Sequence, residues 1–133
     1  MIKRVSHVGV VVRNMDETLN LYEKVFGLKP TMVKDAMEGR MRIAFIPVGD
    51  GEIELLQPLD PNMPHARFIQ THGQGLHHVS FATDDIESEV EKMKREGVVF
   101  AEEKPRIGAH GVKIIFTKPE TTGGVAIELC QES

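Results

Sequence analysis

The alternation of apolar and polar positions along this chain occurs twice. Ser6-His7-Val8-Gly9-Val10 and His77-His78-Val79-Ser80-Phe81 are each apolar or alternating over strand length and predict buried strands. A helix is predicted after each. Asn14 and Asp84 are helix-capping residue types, with Glu17 and Glu87 three positions on. Leu19, Tyr22 and Phe26 form an apolar face on the first helix, and Ile86, Val90 and Met93 one on the second. Both helices run out at a glycine, Gly27 and Gly97, followed by an apolar residue entering an extended segment.

Each half then supplies further strands. Arg42-Ile43-Ala44-Phe45-Ile46-Pro47 corresponds to Lys113-Ile114-Ile115-Phe116-Thr117-Lys118, and Glu52-Ile53-Glu54-Leu55-Leu56 to Val125-Ala126-Ile127-Glu128-Leu129. The repeat predicts an α+β fold of two tandem βαβββ modules. Over residues 1–133 a single domain is expected, with module one at about 1–57, a connector at about 58–75 and module two at about 76–133. The connector carries Pro58, Pro61 and Pro64, then a short helical pattern from His65 to His72.

Sorting each strand by its alternating faces isolates four residues. Glu54 opposes Ile53 and Leu55; Glu128 opposes Ile127 and Leu129; His78 opposes Val79 and Phe81; His7 opposes Val8 and Val10. Taken singly, each has an ordinary explanation: a hydrogen-bonded core histidine, or a glutamate facing solvent. The same types at matching places in both repeats point instead to a His2Glu2 set. Four such groups on an inward face would be costly unpaired, and a divalent cation satisfies them. Mixed nitrogen and oxygen ligation suits Co2+, Mn2+, Ni2+, Zn2+ or Fe2+, with positions open for a chelating substrate. His65 and His72 read as surface positions, and Cys130 as a small packed residue.

Composition narrows the setting. The chain has 16 Lys and Arg against 20 Asp and Glu, a net charge of −4, which disfavours nucleic acid as a partner. Its single cysteine precludes an internal disulfide and fits a reducing compartment. No apolar run approaches the ~18 residues of a membrane span, and no signal-peptide core follows Met1. A cytoplasmic protein is expected.

These residues resemble the vicinal oxygen chelate (glyoxalase/bleomycin resistance) superfamily and, within it, the methylmalonyl-CoA epimerases. Three stretches carry the closer likeness: Gly75-Leu76-His77-His78, Pro105-Arg106-Ile107-Gly108-Ala109-His110-Gly111, and Lys118-Pro119 with Thr122-Gly123-Gly124-Val125. The resemblance implies that the two modules form a curved mixed sheet around a metal cleft, with a divalent metal, commonly cobalt, on His7, Glu54, His78 and Glu128. It also implies a homodimer and interconversion of (2R)- and (2S)-methylmalonyl-CoA, with Glu128 as one of two bases that exchange the C2 proton from opposite sides. Some epimerases that this chain resembles carry Gln at the place of Glu54 and a separate Glu on the neighbouring strand. That Glu aligns with Ile43 here, so Glu54 is expected to take its role. Residues 107–111 are expected to bring backbone amides to the substrate carboxylate. A glyoxalase I-type lyase and a metal-free small-molecule binding protein of the same fold are the alternative readings.

Overall fold

In the computed structural model, which describes residues 1–132, strands β1 (Ile2–Val11), β2 (Met32–Ala36), β3 (Met41–Val48) and β4 (Gly51–Pro58) belong to the first repeat. Helix α1 (Met15–Phe26) follows β1, and α2 (Pro64–His72) lies in the connector. The second repeat has β5 (Gly75–Thr83), α3 (Ile86–Arg95), β6 (Arg106–Ile107), β7 (Lys113–Phe116) and β8 (Ala126–Gln131). The α+β class and the twofold βαβββ order are as the sequence predicts.

The chain packs as two compact units, Val8–His77 and Met1–His7 with the chain from His78 onward. The division falls within β1 and β5. In the Val8–His77 unit the strand order is β2-β3-β4-β1, and in the other β1-β5-β8-β7-β6. Each repeat therefore sets its last strand beside its first. In the second, β8 runs parallel to β5, with Ser80 opposite Glu128 and Phe81 opposite Leu129.

Each unit has its own core, and several positions correspond: Val10 with Phe81, Met15 with Ile86, Leu19 with Val90, Ala44 with Ile115 and Leu55 with Leu129. Val12, Met15, Ala44, Ile46 and Leu55 are buried together, with Val10, Leu19, Tyr22 and Leu28 packed on them. Ile86, Val90, Phe100, Ile115 and Leu129 form the other, with Phe81, Met93 and Val98. Helix residues meet the apolar face of the strands, which leaves the opposite strand face for polar groups. Phe26 does not join its helix's packed face; it is 61 % exposed, and its ring stands edge-on to Tyr22 at 5.5 Å.

The helix starts are pinned in two ways. Asn14 caps α1, accepting the Glu17 amide at 3.0 Å as predicted. The cap of α3 is Asp85 rather than Asp84: Asp85 accepts the Ser88 amide at 3.1 Å, while Asp84 binds the Met1 ammonium at 2.8 Å. Glutamines provide the second anchor. Gln57 Oε1, at the end of β4, accepts the Met15 amide at 2.8 Å, and Gln131 Oε1, at the end of β8, accepts the Ile86 amide at 2.9 Å. Each glutamine lies three residues beyond the repeat's inward glutamate and, by strand alternation, on the opposite face. Among the described residues no helix is long and apolar enough to cross a membrane.

Candidate metal centre

Three of the four predicted ligands meet within one unit. His7 comes from β1, His78 from β5 and Glu128 from β8, and all three are buried, at 4 %, 4 % and 5 % exposure. His7 Nε2 and His78 Nε2 are 3.3 Å apart, with the rings edge-on at 85°. Glu128 Oε1 lies 2.9 Å from His7 Nε2. One ligand atom from each residue falls within 4.8 Å of the other two.

Strand alternation explains the convergence. β1, β5 and β8 are neighbours in the sheet, and His7, His78 and Glu128 all occupy the face turned away from the helix-packed core. Small residues, Ser80 and Ala82, accompany His78 on that face. Around the set, Ser6 Oγ is 3.3 Å from His7 Nδ1 and turns the Nε2 edge toward Glu128. The Phe116 ring stands edge-on to His78 at 5.0 Å. Ser80 Oγ lies 3.5 Å from the buried Cys130 Sγ, which makes that thiol a packed group as predicted.

The spacing suits a cation. Two ligand atoms each about 2.1 Å from one ion, at angles of roughly 90–109°, stand roughly 3.0–3.4 Å apart. The 3.3 Å separation falls within that range and the 2.9 Å separation just below it. Glu128 Oε1 is shielded from solvent, and its close neighbour is His7 Nε2 at 2.9 Å, so the buried carboxylate depends on the groups around it. Burial pushes the Glu128 carboxyl up, but the adjoining His7, the charge of His78 and the Ser80 hydroxyl outweigh it and hold the group below its ordinary value. Two imidazole nitrogens and a carboxylate oxygen fit a borderline divalent metal. These three residues would hold it.

Glu54 is buried at 5 % exposure within the Val8–His77 unit, on β4 opposite Phe45 of β3. Ile43, also buried, sits on β3 opposite Leu56. The loop of Gly108, Ala109, His110 and Gly111 joins β6 to β7 and closes on itself: the Gly108 amide donates to Val112 O at 2.9 Å and the Gly111 amide to Gly108 O at 3.0 Å. Ile107 is in β6, 63 % exposed. His110 stands at the loop tip with its ring 6.0 Å from that of His7. Its nearness to the ligand set was not readable from the repeat, because the first repeat has no histidine at the corresponding loop.

Comparison with known proteins identifies the family. The glyoxalase/bleomycin resistance protein/dioxygenase superfamily model matches residues 6–116. An uncharacterised Bacillus subtilis protein, YqjC, is 32 % identical over 130 residues, covering 98 % of this chain and 93 % of its own. The mitochondrial methylmalonyl-CoA epimerase of Mus musculus is 33 % identical over 129 residues, covering 96 % of this chain and 72 % of its own. A Streptomyces coelicolor methylmalonyl-CoA epimerase variant, solved with 2-nitronate-propionyl-CoA, superposes with a TM-score of 0.90 at 25 % identity, covering 100 % of this chain and 99 % of that one. The chain belongs to the glyoxalase/bleomycin resistance protein/dioxygenase superfamily, among relatives that are methylmalonyl-CoA epimerases.

Proposed function

We propose that this protein is a methylmalonyl-CoA epimerase, interconverting the (2R) and (2S) forms by removing and returning the C2 proton. The observation that carries the reading is Glu128: a carboxylate buried to 5 % exposure, its Oε1 2.9 Å from His7 Nε2, in the same cluster as His78. The epimerases among the relatives support the choice of substrate.

In this reading His7 and His78 hold the cation, and Glu54, the repeat counterpart of Glu128, is the fourth ligand. When bound, the divalent metal, Co2+ in this proposal, supplies Lewis-acid polarisation of the thioester oxygen. The C2 proton lies between a thioester and a carboxylate, which makes it acidic enough for a glutamate to remove. Glu128 is held below its ordinary value and so is ionised at neutral pH, as a base must be. Glu54 serves the opposite face of C2, since Ile43 cannot carry a proton. Burial of the set keeps bulk water from quenching the carbanion. Residues 107–111 lie beside the substrate. A homodimer in the cytoplasm completes the proposal.

The test follows the C2 proton of methylmalonyl-CoA by NMR in D2O, with protein stripped of metal and then reconstituted with Co2+. Exchange that requires the metal and interconverts the epimers is the expected result. Glu54→Gln should then lose turnover by at least about a hundredfold while retaining metal. A protein that binds metal through these residues but exchanges no C2 proton would overturn the epimerase assignment and turn attention to glyoxalase-type thiohemiacetals.

A further inference from the structure

Between Phe100 and β6 the chain follows the outer edge of β7 without forming a continuous strand. Phe100 is bridged to Thr117, and Arg106 and Ile107 pair with Ile114 and Lys113, while residues 101–105 belong to no strand. In that gap Phe116 turns both its backbone groups outward. Its carbonyl accepts the Ala101 amide at 2.8 Å, and its amide donates to Glu102 Oε2 at 3.0 Å. A side-chain carboxylate thus stands where a strand carbonyl would be. Its other oxygen, Oε1, accepts from Arg106 Nε at 2.6 Å. Arg106 is itself held on β7, because Gly108 just beyond it is pressed against that strand: a Cβ there would meet Ile114 Cδ1 at 2.6 Å and Cγ1 at 3.0 Å. Glu102 is therefore fixed at both oxygens.

The residue that Glu102 holds borders the ligand set. Phe116 lies directly opposite Glu128 in the pairing of β7 with β8, so the two share a face of the sheet. Its ring stands edge-on to His78, at 5.0 Å and 87°. β8 lies between their strands, and the residue it pairs with His78 is Ala126, small enough to let the ring reach across. An apolar ring packed on a ligating imidazole limits its rotation and keeps water from it. Without the carboxylate the Phe116 amide turns to water, and β7 loses its outer tether at that residue. We propose that Glu102 is a positioning residue: by holding the Phe116 amide it keeps the Phe116 ring against His78, and so fixes the plane in which that imidazole meets a metal. This inference rests on the metal-site reading but not on the identity of the reaction.

The experiment takes two readouts from the whole protein at fixed pH. One is the His78 ring-proton shifts of the metal-free form, which sense the ring current of Phe116; the other is the affinity and visible absorption of the Co2+-loaded form. Phe116→Leu, which removes the ring, supplies the reference shifts. Glu102→Ala should move the His78 signals toward that reference, weaken Co2+ binding roughly tenfold and alter the cobalt absorption bands. Glu102→Gln, whose amide oxygen still accepts from Phe116, should restore the shifts and the spectrum of wild type. Glu102→Asp keeps the charge but ends a methylene short of the amide, and should behave as Glu102→Ala does; it carries the test if the alanine variant does not fold. Combining Glu102→Ala with Phe116→Leu should cost no further cobalt affinity, because both act through the same contact. Lowered stability with wild-type ring shifts and cobalt spectrum in the Ala and Asp variants would mark a merely structural carboxylate and overturn the proposal. A protein that shows the expected ring shifts across the variants yet binds no Co2+ would overturn the metal-site reading alone.

Discussion

At the residue scale, Glu128 links the fold to acidity. Its carboxyl is held below the ordinary value of 4.5 in the folded chain, so folding is favoured when it is ionised. That contribution is complete above the unfolded-state value and is lost as pH falls through the depressed folded value. Metal-free wild type should therefore be more stable than Glu128→Gln at about pH 6, with the gap closing on acidification toward about pH 3. Urea midpoints of both proteins across that range decide it; a gap that widens on acidification would refute the assignment. Gly108 makes a different residue-scale prediction. Alanine there should cost about 1–2 kcal/mol through the Ile114 clash, and Ile114→Val, which removes Cδ1, should recover part of the loss in the double variant. A thermal-denaturation double-mutant cycle reads both. Single residues were also where the sequence was least decisive. Asp84 and Asp85 are adjacent and equally suited to capping, and periodicity alone could not say that Asp84 would instead meet an ammonium group.

At the element scale, the last strand of each repeat does two jobs on two faces. Glu54 and Glu128 turn inward, while Gln57 and Gln131 satisfy the first amides of α1 and α3. Removing either glutamine side chain leaves a helix-start amide without its partner, at about 1–2 kcal/mol. Gln131→Ala should cost more than Gln57→Ala, because Gln131 Nε2 also donates to Asp84 O at 2.7 Å and Glu132 O at 2.9 Å. Equal losses in chemical denaturation would contradict this. The elements themselves were largely legible: the 2.0 and 3.6 periods locate β1, β4, β5, β8, α1 and α3. The glutamine anchors were not, because a polar residue at a strand end carries no periodic signal. Phe26 misled for the complementary reason, since an apolar residue at helical spacing reads as core whether or not a sheet lies beneath it.

At the scale of the whole molecule, the repeat made the candidate site visible. His7 and His78 would each pass as unremarkable core histidines; their correspondence across the two modules is what paired them, and in the fold their Nε2 atoms stand 3.3 Å apart. His110 has no counterpart in the first module, and its place beside His7 needed coordinates. The two compact units supply a global test of the ligand set. At a free metal concentration one hundred times the Kd, binding should stabilise the protein by about 2.7 kcal/mol. Hydrogen exchange should show new protection in β1, β5 and β8, which carry His7, His78 and Glu128. Protection around Glu54 in β4 would accompany it if that residue ligates as proposed. Protection confined to β1, β5 and β8 would reduce the set to three.

The three-residue interval between glutamate and glutamine has a consequence for folding fidelity. If β8 paired one position out of register with β5, Glu128 would turn toward Ile86 and Leu129 would turn into the ligand cleft. In the same slip Gln131 would miss the Ile86 amide, uncovering the start of α3. Misalignment is thus penalised at the cleft, in the core and at the helix end together, by a single strand. A copy whose carboxylate is out of place is also a copy that struggles to stay folded, so chains with a defective site are exposed to proteolysis rather than persisting as inactive competitors for metal.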